Sequence, residues 1–345
     1  MKIYKDIYPL IISAENLFAA WEIFKRDKRN KPDVMEIEQN IEREIFKLHR
    51  ELREKIYRHG PYSGFWIRDP KLRRINKAVV RDRILHHAIF KILNPIFEPT
   101  FIPNSYSCRV GKGTHKGVED LEKMIRAESR NYTKECWALK CDIRKFFDSI
   151  DHDVLLQMLE TKIRDEDAMW LLREIVESFT VSRPNLFERR GVPIGNLTSQ
   201  IFANIYMNEL DQFMKQELRV KNYARYTDDF VIVSTDRKYL EWLLKPVSKF
   251  LADKLGLEMH PRKVILRRAS QGVDFLGYVI FPHHTLMRAS TKKRMLRKTA
   301  ERVAAYESSA INEDSLKATL RSYLGVMSHA DAHELTEQYR NQFWI

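Results

Sequence analysis

The stretch that decides the fold lies at residues 222–234 and reads Asn222-Tyr223-Ala224-Arg225-Tyr226-Thr227-Asp228-Asp229-Phe230-Val231-Ile232-Val233-Ser234. Apolar and aromatic residues flank a short polar turn on both sides, so the pattern predicts a strand, a tight turn and a second strand. The turn carries two adjacent carboxylates, which cost stability between hydrophobic strands unless a cation is bound beside them. The turn is therefore either a solvated Asp-Asp hairpin or a site for divalent cations such as Mg²⁺, which takes a few carboxylates together with substrate phosphates.

A second acidic strand upstream favours the cation site. Residues 137–148 form an apolar run that Asp142 interrupts, and a helix-like segment follows it. If Asp142 faces Asp228 and Asp229, the three side chains form a carboxylate cluster. Two metal ions about 3.5–4 Å apart in such a cluster can clamp the attacking and leaving oxygens of a phosphoryl transfer, as polymerases do.

The motifs around these carboxylates resemble those of one enzyme family. Residues 226–229 resemble the Tyr-x-Asp-Asp box of reverse transcriptases, and Asp142 with Phe147 resembles the acidic motif that precedes the box. A third motif, at residues 191–200, lies between them in the same order. Its Ile194-Gly195 and Ser199-Gln200 pairs resemble the reverse transcriptases of diversity-generating retroelements, whereas most reverse transcriptases carry Gln-Gly and Ser-Pro there.

The resemblance implies an α+β, right-hand polymerase fold with fingers, a palm containing an antiparallel sheet, and a helical thumb. It implies an RNA-directed DNA polymerase that makes cDNA from a template-repeat RNA with low fidelity at adenine. Fingers are expected at residues 1–115, the palm at 116–283 (with 153–190 partly associated with the fingers) and the thumb at 284–345.

The same resemblance assigns roles at the catalytic centre. Asp142, Asp228, Asp229 and the Ile143 carbonyl are expected to hold two Mg²⁺ ions, for which Mn²⁺ is a possible substitute. Lys263 is expected near the leaving pyrophosphate, as a general acid or a neutralising charge, although a solvated loop lysine fits its sequence context equally well.

Local patterns predict three further elements. Apolar residues recur every three or four positions within residues 13–57, which predicts helices. Residues 65–75 predict a short hairpin with a basic tip, and Asp151 is expected to cap a helix and not to bind a metal ion.

Residues expected to contact the nucleotide and template come from three motifs. The basic residues of the fingers are Lys71, Arg73, Arg74 and Arg81, followed by Arg109 in a Gly-rich segment. Phe147 matches the aromatic gate that excludes a ribose 2′-hydroxyl by steric clash. The third motif contributes Ile194, Gly195, Ser199 and Gln200, and it leads into a helix predicted at Ile201–Leu218. The alternative for the basic residues is a solvated loop.

Ile194 stands where most of the family has glutamine, whose amide can hydrogen-bond near the nucleotide; an isoleucine side chain cannot. One lost hydrogen bond is worth about 0.5–1.5 kcal/mol. We therefore expect lower fidelity from this substitution.

Charge and composition are consistent with a nucleic-acid partner. The 345 residues include 60 Lys and Arg against 47 Asp and Glu, a formal charge of +13. Basic residues crowd one predicted thumb helix and suit the phosphates of an RNA–DNA duplex; they are Arg288, Lys292, Lys293, Arg294, Arg297, Lys298 and Arg302.

The expected partners are an RNA template, a DNA or RNA primer and deoxynucleoside triphosphates. The resemblance adds a small, basic, oligomeric accessory protein. Three cysteines, the lack of a signal-peptide pattern and the lack of the roughly 18 apolar residues needed to span a bilayer predict a cytoplasmic protein without a membrane partner.

Two alternatives remain open. Within enzymes, the chain could be a retron or group II intron-like reverse transcriptase. In a different class, it could be a catalytically inert, RNA-binding scaffold, which an intact set of carboxylates and an intact gate disfavour.

Overall fold

The computed structural model describes residues 2–68, 72–181 and 189–343. The helices are α1 (Tyr8–Ile12), α2 (Ala14–Phe24), α3 (Pro32–Glu38), α4 (Ile41–Arg53), α5 (Val80–Phe97), α6 (Thr114–Glu128), α7 (Phe146–Ser149), α8 (His152–Glu160), α9 (Glu166–Glu177), α10 (Leu197–Gln212), α11 (Arg237–Leu255), α12 (Ala289–Glu307), α13 (Glu313–Met327) and α14 (His333–Phe343). The strands are β1 (Tyr62–Arg68), β2 (Leu72–Ala78), β3 (Trp137–Asp142), β4 (Asn222–Tyr226), β5 (Asp229–Ser234), β6 (Ile265–Arg268), β7 (Val273–Phe275), β8 (Tyr278–Phe281) and β9 (His284–Met287). The predicted mixture of helices and antiparallel sheet is confirmed.

The chain divides into two compact units, each built from three separate segments. The first unit comprises Met1–Pro103, Ile143–Arg219 and Val247–His260, and the second comprises Asn104–Asp142, Val220–Pro246 and Pro261–Ile345. The chain crosses between the units several times, because strands and helices that are distant in sequence share a core. The predicted fingers, palm and thumb boundaries stay a prediction.

The first unit is mostly helical, and its helices follow the predicted apolar periodicity. In α4, Ile45, Leu48 and Leu52 recur every three or four residues and are buried, as expected for the inward face of an amphipathic helix. Asp151 begins α8 as predicted, since its carboxylate accepts from the backbone N–H groups of Asp153 and Val154 and so satisfies amide groups that the helix leaves unpaired.

The first unit also contains the basic hairpin predicted near residue 70. Strands β1 and β2 pair antiparallel, from Tyr62 opposite Ala78 to Arg68 opposite Leu72. The side chains of β1 are exposed from Ser63 onward. The tip of the hairpin, including Lys71, lies outside the described residues.

The second unit is organised around a four-stranded antiparallel sheet with the order β4-β5-β3-β6. The hairpin predicted from residues 222–234 is confirmed, and its second strand, β5, lies in the interior of the sheet beside β3. Helix α6 covers the sheet with Val118, Leu121 and Ile125, which belong to the same buried apolar cluster as Val231. This packing holds the polar ends of β3 and β5 in fixed register.

The remainder of the second unit follows the sheet in sequence. Strands β7, β8 and β9 form a three-stranded antiparallel sheet. The basic helix α12 packs with α13 and α14 through a separate apolar cluster formed by Met295, Leu320, Met327 and Tyr339. Within the described ranges, no helix has the length and apolar character required to cross a membrane.

Candidate active site

Antiparallel pairing between β3 and β5 brings the two predicted acidic motifs together. Asp142, the last residue of β3, lies directly opposite Asp229, the first residue of β5. Cα atoms of directly paired residues in antiparallel strands are about 4.5–5.5 Å apart. Asp228 precedes Asp229 in the hairpin turn, so all three carboxylates meet at one end of the sheet. We call Asp142, Asp228 and Asp229 the acidic centre.

Burial dominates the electrostatics of Asp229. Burial raises the pKa of the Asp229 carboxyl to about 6, although the nearby ammonium group of Lys140 acts in the opposite direction and lowers it. The negative charges of Asp142 and Asp228 also raise the pKa of Asp229, as expected for three carboxylates that lie close together. The Oδ1 atom of Asp229 is buried and has no hydrogen-bond partner among the residues that the structure describes.

Two lysine ammonium groups lie within the acidic centre. Lys263 Nζ is 2.6 Å from Asp142 Oδ1, and Lys140 Nζ is 3.1 Å from Asp229 Oδ2. Lys140 also donates to the backbone carbonyl of Asp274 at 2.9 Å. Lys263 was expected here from the sequence, whereas Lys140 was not, although a lysine within the apolar run of β3 indicates a buried charge that needs a partner.

The residues of the acidic centre fit a divalent metal that arrives with its substrate. In the part of the chain that the structure describes, no group of three or more His, Cys, Asp or Glu side chains is arranged to hold a metal ion. Mg²⁺, however, commonly takes only one or two carboxylates and completes its octahedron with water and substrate phosphates. Such a cation would give the unpaired Oδ1 of Asp229 a partner. It would also replace the lysine charges that pair with Asp142 and Asp229.

The turn that carries Asp228 is held in an unusual conformation. Thr227 has φ +56°, and a positive φ is a genuine outlier for a β-branched residue. Arg225, which is fully buried, donates to the Thr227 carbonyl at 2.9 Å, and the Thr227 hydroxyl donates to Ser107 Oγ at 2.8 Å. The role of Arg225 was not predicted from the sequence, although an arginine between apolar strand residues again indicates a buried charge that needs partners.

The segment carrying Arg109 runs beside this turn. Ser105 forms a parallel bridge with Arg225 of β4, and its hydroxyl accepts from Arg225 Nη2 at 3.0 Å. Arg109 is half-buried and donates to the Ser105 carbonyl at 2.7 Å. The structure therefore places the predicted triphosphate arginine in the same unit as the acidic centre, on a segment that bridges to β4.

The third motif lies in the first unit, against the basic hairpin. We call residues 194–200 the floor segment. The backbone N–H of Asn76 in β2 donates to the Ile194 carbonyl at 3.2 Å, and the Asn196 amide donates back to the Asn76 carbonyl at 3.4 Å. Gly195 and Gln200 are exposed, and Ile194 is half-buried. Ser199 is buried and therefore lies on the inward face of α10.

Gly195 occupies a position that other residues would strain. Its φ is +115°, and a Cβ atom added there would lie 2.9 Å from Ile75 Cγ2. A cavity of about 320 Å³ opens beside it. Its lining residues include Phe65, Lys77, Gly195 and Gln200, so the hairpin and the floor segment share one concave surface.

The remaining predicted nucleotide contacts differ in how accessible they are. Phe146 is buried whereas Phe147 is half-buried, which keeps Phe147 available as a gate. Arg73 and Arg74 are exposed on β2. Arg81 instead pairs with Glu51 at 2.7 Å and donates to the Arg58 carbonyl at 2.9 Å, contacts that hold α5 within the first unit.

The predicted thumb cations lie on α12 and at its N-cap, Arg288. Arg288 forms an ion pair with Asp274, and Arg297 donates to Glu301 at 2.5 Å. The exposed members are Lys292, Lys293, Arg297 and Arg302, and the half-buried members are Arg288, Arg294 and Lys298.

Comparisons with known proteins agree with these motifs. Residues 68–280 match the family model described as reverse transcriptase (RNA-dependent DNA polymerase). The chain is 24% identical over 319 residues to the group II intron-encoded protein LtrA of Lactococcus lactis subsp. cremoris, covering 73% of this chain and 51% of that protein. It is 25% identical over 242 residues to protein YkfC of Escherichia coli K12, covering 60% of this chain and 63% of that protein.

Among solved structures, a telomerase from Candida albicans aligns with a TM-score of 0.49 and 12% identity, covering 79% of this chain and 56% of that chain. The chain spans about half the length of LtrA. The family match covers β2, both acidic motifs and the floor segment, and it confirms the reverse transcriptase fold predicted from the sequence. The chain therefore belongs to the reverse transcriptase (RNA-dependent DNA polymerase) family.

Proposed function

We propose that the protein extends a DNA or RNA primer along an RNA template, using deoxynucleoside triphosphates. The observation that carries the proposal is the pairing of Asp142 opposite Asp229 at the end of a sheet, with Asp228 in the adjoining turn. Three carboxylates from two separate motifs meet where one of them leaves an oxygen buried and unpaired. That arrangement is costly for folding alone and useful for holding cations.

Asp142, Asp228 and Asp229, with the Ile143 carbonyl that directly follows Asp142, are the ligands that we propose for two Mg²⁺ ions, which Mn²⁺ can replace. Bound there, the ions would lower the barrier to attack by the primer 3′-hydroxyl and neutralise charge on the triphosphate. Lys140 offsets the charge of Asp229 in the free protein. Lys263, released from Asp142 on substrate binding, supplies a proton or a positive charge to the leaving pyrophosphate.

In this proposal, the residues of the predicted nucleotide motifs select the substrate. Arg73, Arg74 and Arg109 contact the triphosphate, and Lys71 and Arg81 are assigned to the same group by their motif. The ring of Phe147 excludes a ribose 2′-hydroxyl. The basic face of α12 holds the phosphates of the template–primer duplex, whose binding then weakens as salt concentration rises.

The test of the proposed activity is primer extension on an RNA template with labelled deoxynucleotides. Asp228→Asn keeps the size of the side chain and removes its charge, and we expect extension to fall by more than about 10³-fold, the scale of removing one member of a catalytic unit. Asp253→Asn, an exposed position on α11, is the matched control. Extension that survives Asp228→Asn in a clean preparation would refute the site.

We further propose that the polymerase serves a diversity-generating retroelement, copying a template-repeat RNA with errors at adenine and working with a small, basic, oligomeric accessory protein. The support is the sequence of the floor segment, where Ile194 replaces an amide donor. The test is misincorporation opposite template adenine in Ile194→Gln, with Ile194→Val as the apolar control. We expect errors to fall several-fold in the glutamine variant alone, and an unchanged error rate would discard the retroelement role of Ile194.

The second candidate is a group II intron-like reverse transcriptase. The observation that favours it is the likeness to LtrA, a group II intron-encoded protein, across 73% of this chain. An intron-type enzyme would copy adenine as faithfully as the other bases. The same misincorporation assay on the unmodified protein therefore separates the two candidates.

A further inference from the structure

A chain of buried polar side chains lies beneath the floor segment in the first unit. His86 of α5, only 1% exposed, connects two partners through its two ring nitrogens. Its Nδ1 is hydrogen-bonded to the hydroxyl of Thr198 in the first turn of α10. Its Nε2 is 3.1 Å from Nε2 of His59, whose side chain is also 1% exposed. No part of the proposed catalytic chemistry uses these groups.

The partners of His59 fix the direction of each hydrogen bond. His59 Nδ1 lies 2.7 Å from the Gly60 carbonyl, so Nδ1 donates, and the Nδ1–H tautomer of His59 presents Nε2 as an acceptor. His86 therefore donates from Nε2 to His59, and its Nδ1 accepts from the Thr198 hydroxyl. Burial first, and then the charges of His59, His87 and Arg83, lower the pKa of His86 to about 3, consistent with a neutral ring.

Asp82 holds the end of this hydrogen-bonded chain that is opposite to Thr198. Its carboxylate is fully buried and accepts from the Tyr57 hydroxyl at 2.9 Å and from the Gly60 backbone N–H at 2.8 Å. Asp82 and His86 are four residues apart on α5 and so project from one face of the helix. Gly60, whose carbonyl accepts from His59, is thus held by the helix that carries His86.

The other end of this hydrogen-bonded chain is Thr198, which belongs to the floor segment. Thr198 is buried and follows Asn196, which begins α10 without a side-chain cap. His86, Gly195, Leu197 and Gln200 all line the cavity of about 320 Å³ beside the hairpin. The position of the first turn of α10 therefore sets the depth of this cavity, and the Thr198–His86 hydrogen bond ties that turn to α5.

We infer that His86 is a positioning residue. Through Thr198 it holds the floor segment in the position that the templating base and the incoming nucleotide require. This inference rests on the proposed polymerase function. It assigns a role to a histidine that contacts neither substrate nor metal, and it predicts that the hydroxyl of Thr198 matters more than the bulk of its side chain.

The first measurement is independent of activity. Hydrogen exchange is compared between the unmodified protein and His86→Phe, which preserves a ring but removes both hydrogen bonds. We expect faster exchange at the amides of residues 197–201 and unchanged exchange in α8. Equal exchange at residues 197–201 in the two proteins would overturn the inference, whether or not the protein proves to be a polymerase.

The second measurement separates positioning from simple stability. Thr198→Val should raise KM for the deoxynucleotide about 3–10-fold, the size of one lost hydrogen bond, while Thr198→Ser should remain near the unmodified value. The double variant His86→Phe with Thr198→Val should be no worse than the poorer single variant, since both break one contact. Tyr8→Phe removes a buried hydroxyl that donates to the Leu52 carbonyl, away from this path, and is the control. A fall in unfolding temperature with unchanged KM and error rate would show a purely structural role.

Discussion

Lys263 Nζ lies 2.6 Å from Asp142 Oδ1, so the carboxylate that β3 contributes to the acidic centre is already paired with a cation from this chain. A divalent ion that binds Asp142 must compete with this ammonium group. Lys263 thereby links metal binding to the loop that follows α11, and its removal should change the affinity for metal in a predictable direction.

We predict that Lys263→Gln binds Mn²⁺ more tightly than the unmodified protein when nucleotide is absent. A partly exposed ion pair contributes about 1 kcal/mol or less, so the expected gain is up to about fivefold. The measurement is titration followed by the electron paramagnetic resonance signal of free Mn²⁺. Lys254→Gln, an exposed lysine at the end of α11, is the control, and an equal or weaker affinity in Lys263→Gln would contradict the competition.

Lys140 gives a second prediction, on stability. Its side chain is 18% exposed and pairs with the half-buried Asp229, so Lys140→Met leaves that carboxylate without its ammonium partner. We expect a loss of about 1–3 kcal/mol in the free energy of unfolding, measured with urea. Added Mg²⁺ should restore more stability to Lys140→Met than to the unmodified protein, because a bound ligand stabilises the folded state by mass action.

Lys140→Arg is the matched variant, since it retains the positive charge beside Asp229. It should lose less stability than Lys140→Met and gain less from Mg²⁺. If the methionine and arginine variants respond alike to Mg²⁺, then the charge of Lys140 does not offset that of Asp229.

Gly195 gives a third prediction, on the floor segment. Gly195→Ala introduces a Cβ atom 2.9 Å from Ile75 Cγ2 at φ +115°, so we expect a loss of about 1–3 kcal/mol in the free energy of unfolding and a higher KM for deoxynucleotides. Combining it with Ile75→Ala should recover only the steric part. Gly325→Ala in α13 has open space around it and should instead stabilise by about 0.5–1 kcal/mol, which makes it the control. A neutral Gly195→Ala would show that the turn relaxes.

The fourth prediction concerns acid stability. Burial lowers the pKa of His86 to about 3 and that of His87 to about 4, against 6.5 in the unfolded chain. Below pH 6.5 the unfolded chain therefore binds protons that the folded protein does not, and stability is lost as pH falls from 6.5. Arg83 faces both histidines, and the charges of Lys28 at His87 and of His59 at His86 act in the same direction.

At pH 5 the contribution of His86 to this loss is about 2 kcal/mol. Urea unfolding at pH 7.5 and pH 5 should show a correspondingly smaller decrease for His86→Asn than for the unmodified protein. His333→Asn, an exposed histidine in α14, should decrease as the unmodified protein does. Equal decreases in His86→Asn and the unmodified protein would mean that His86 is protonated with no cost to the fold.

Local sequence patterns predicted the elements well where a pattern is itself local. The strand–turn–strand at residues 222–234, the basic hairpin and the helix cap at Asp151 follow from apolar periodicity, turn residues and a capping carboxylate. The helix predicted at Ile201–Leu218 instead begins at Leu197 and ends at Gln212, where a π-helical turn at Phe213–Glu217 follows. The early start depends on tertiary contact, because the buried Thr198 hydroxyl is satisfied by His86, 112 residues away in the chain.

By itself, the sequence determined which side chains carry the chemistry: the order of Asp142, Phe147, the floor segment and the Asp228-Asp229 turn was sufficient to predict the family. Only the tertiary structure decided that β5 lies between β4 and β3, so that Asp142 faces Asp229, and that Lys140, Lys263 and Arg225 support that meeting. The physical reason is that strand register and ion pairing depend on residues up to about 120 positions apart, as between Lys263 and Asp142, which no local periodicity encodes.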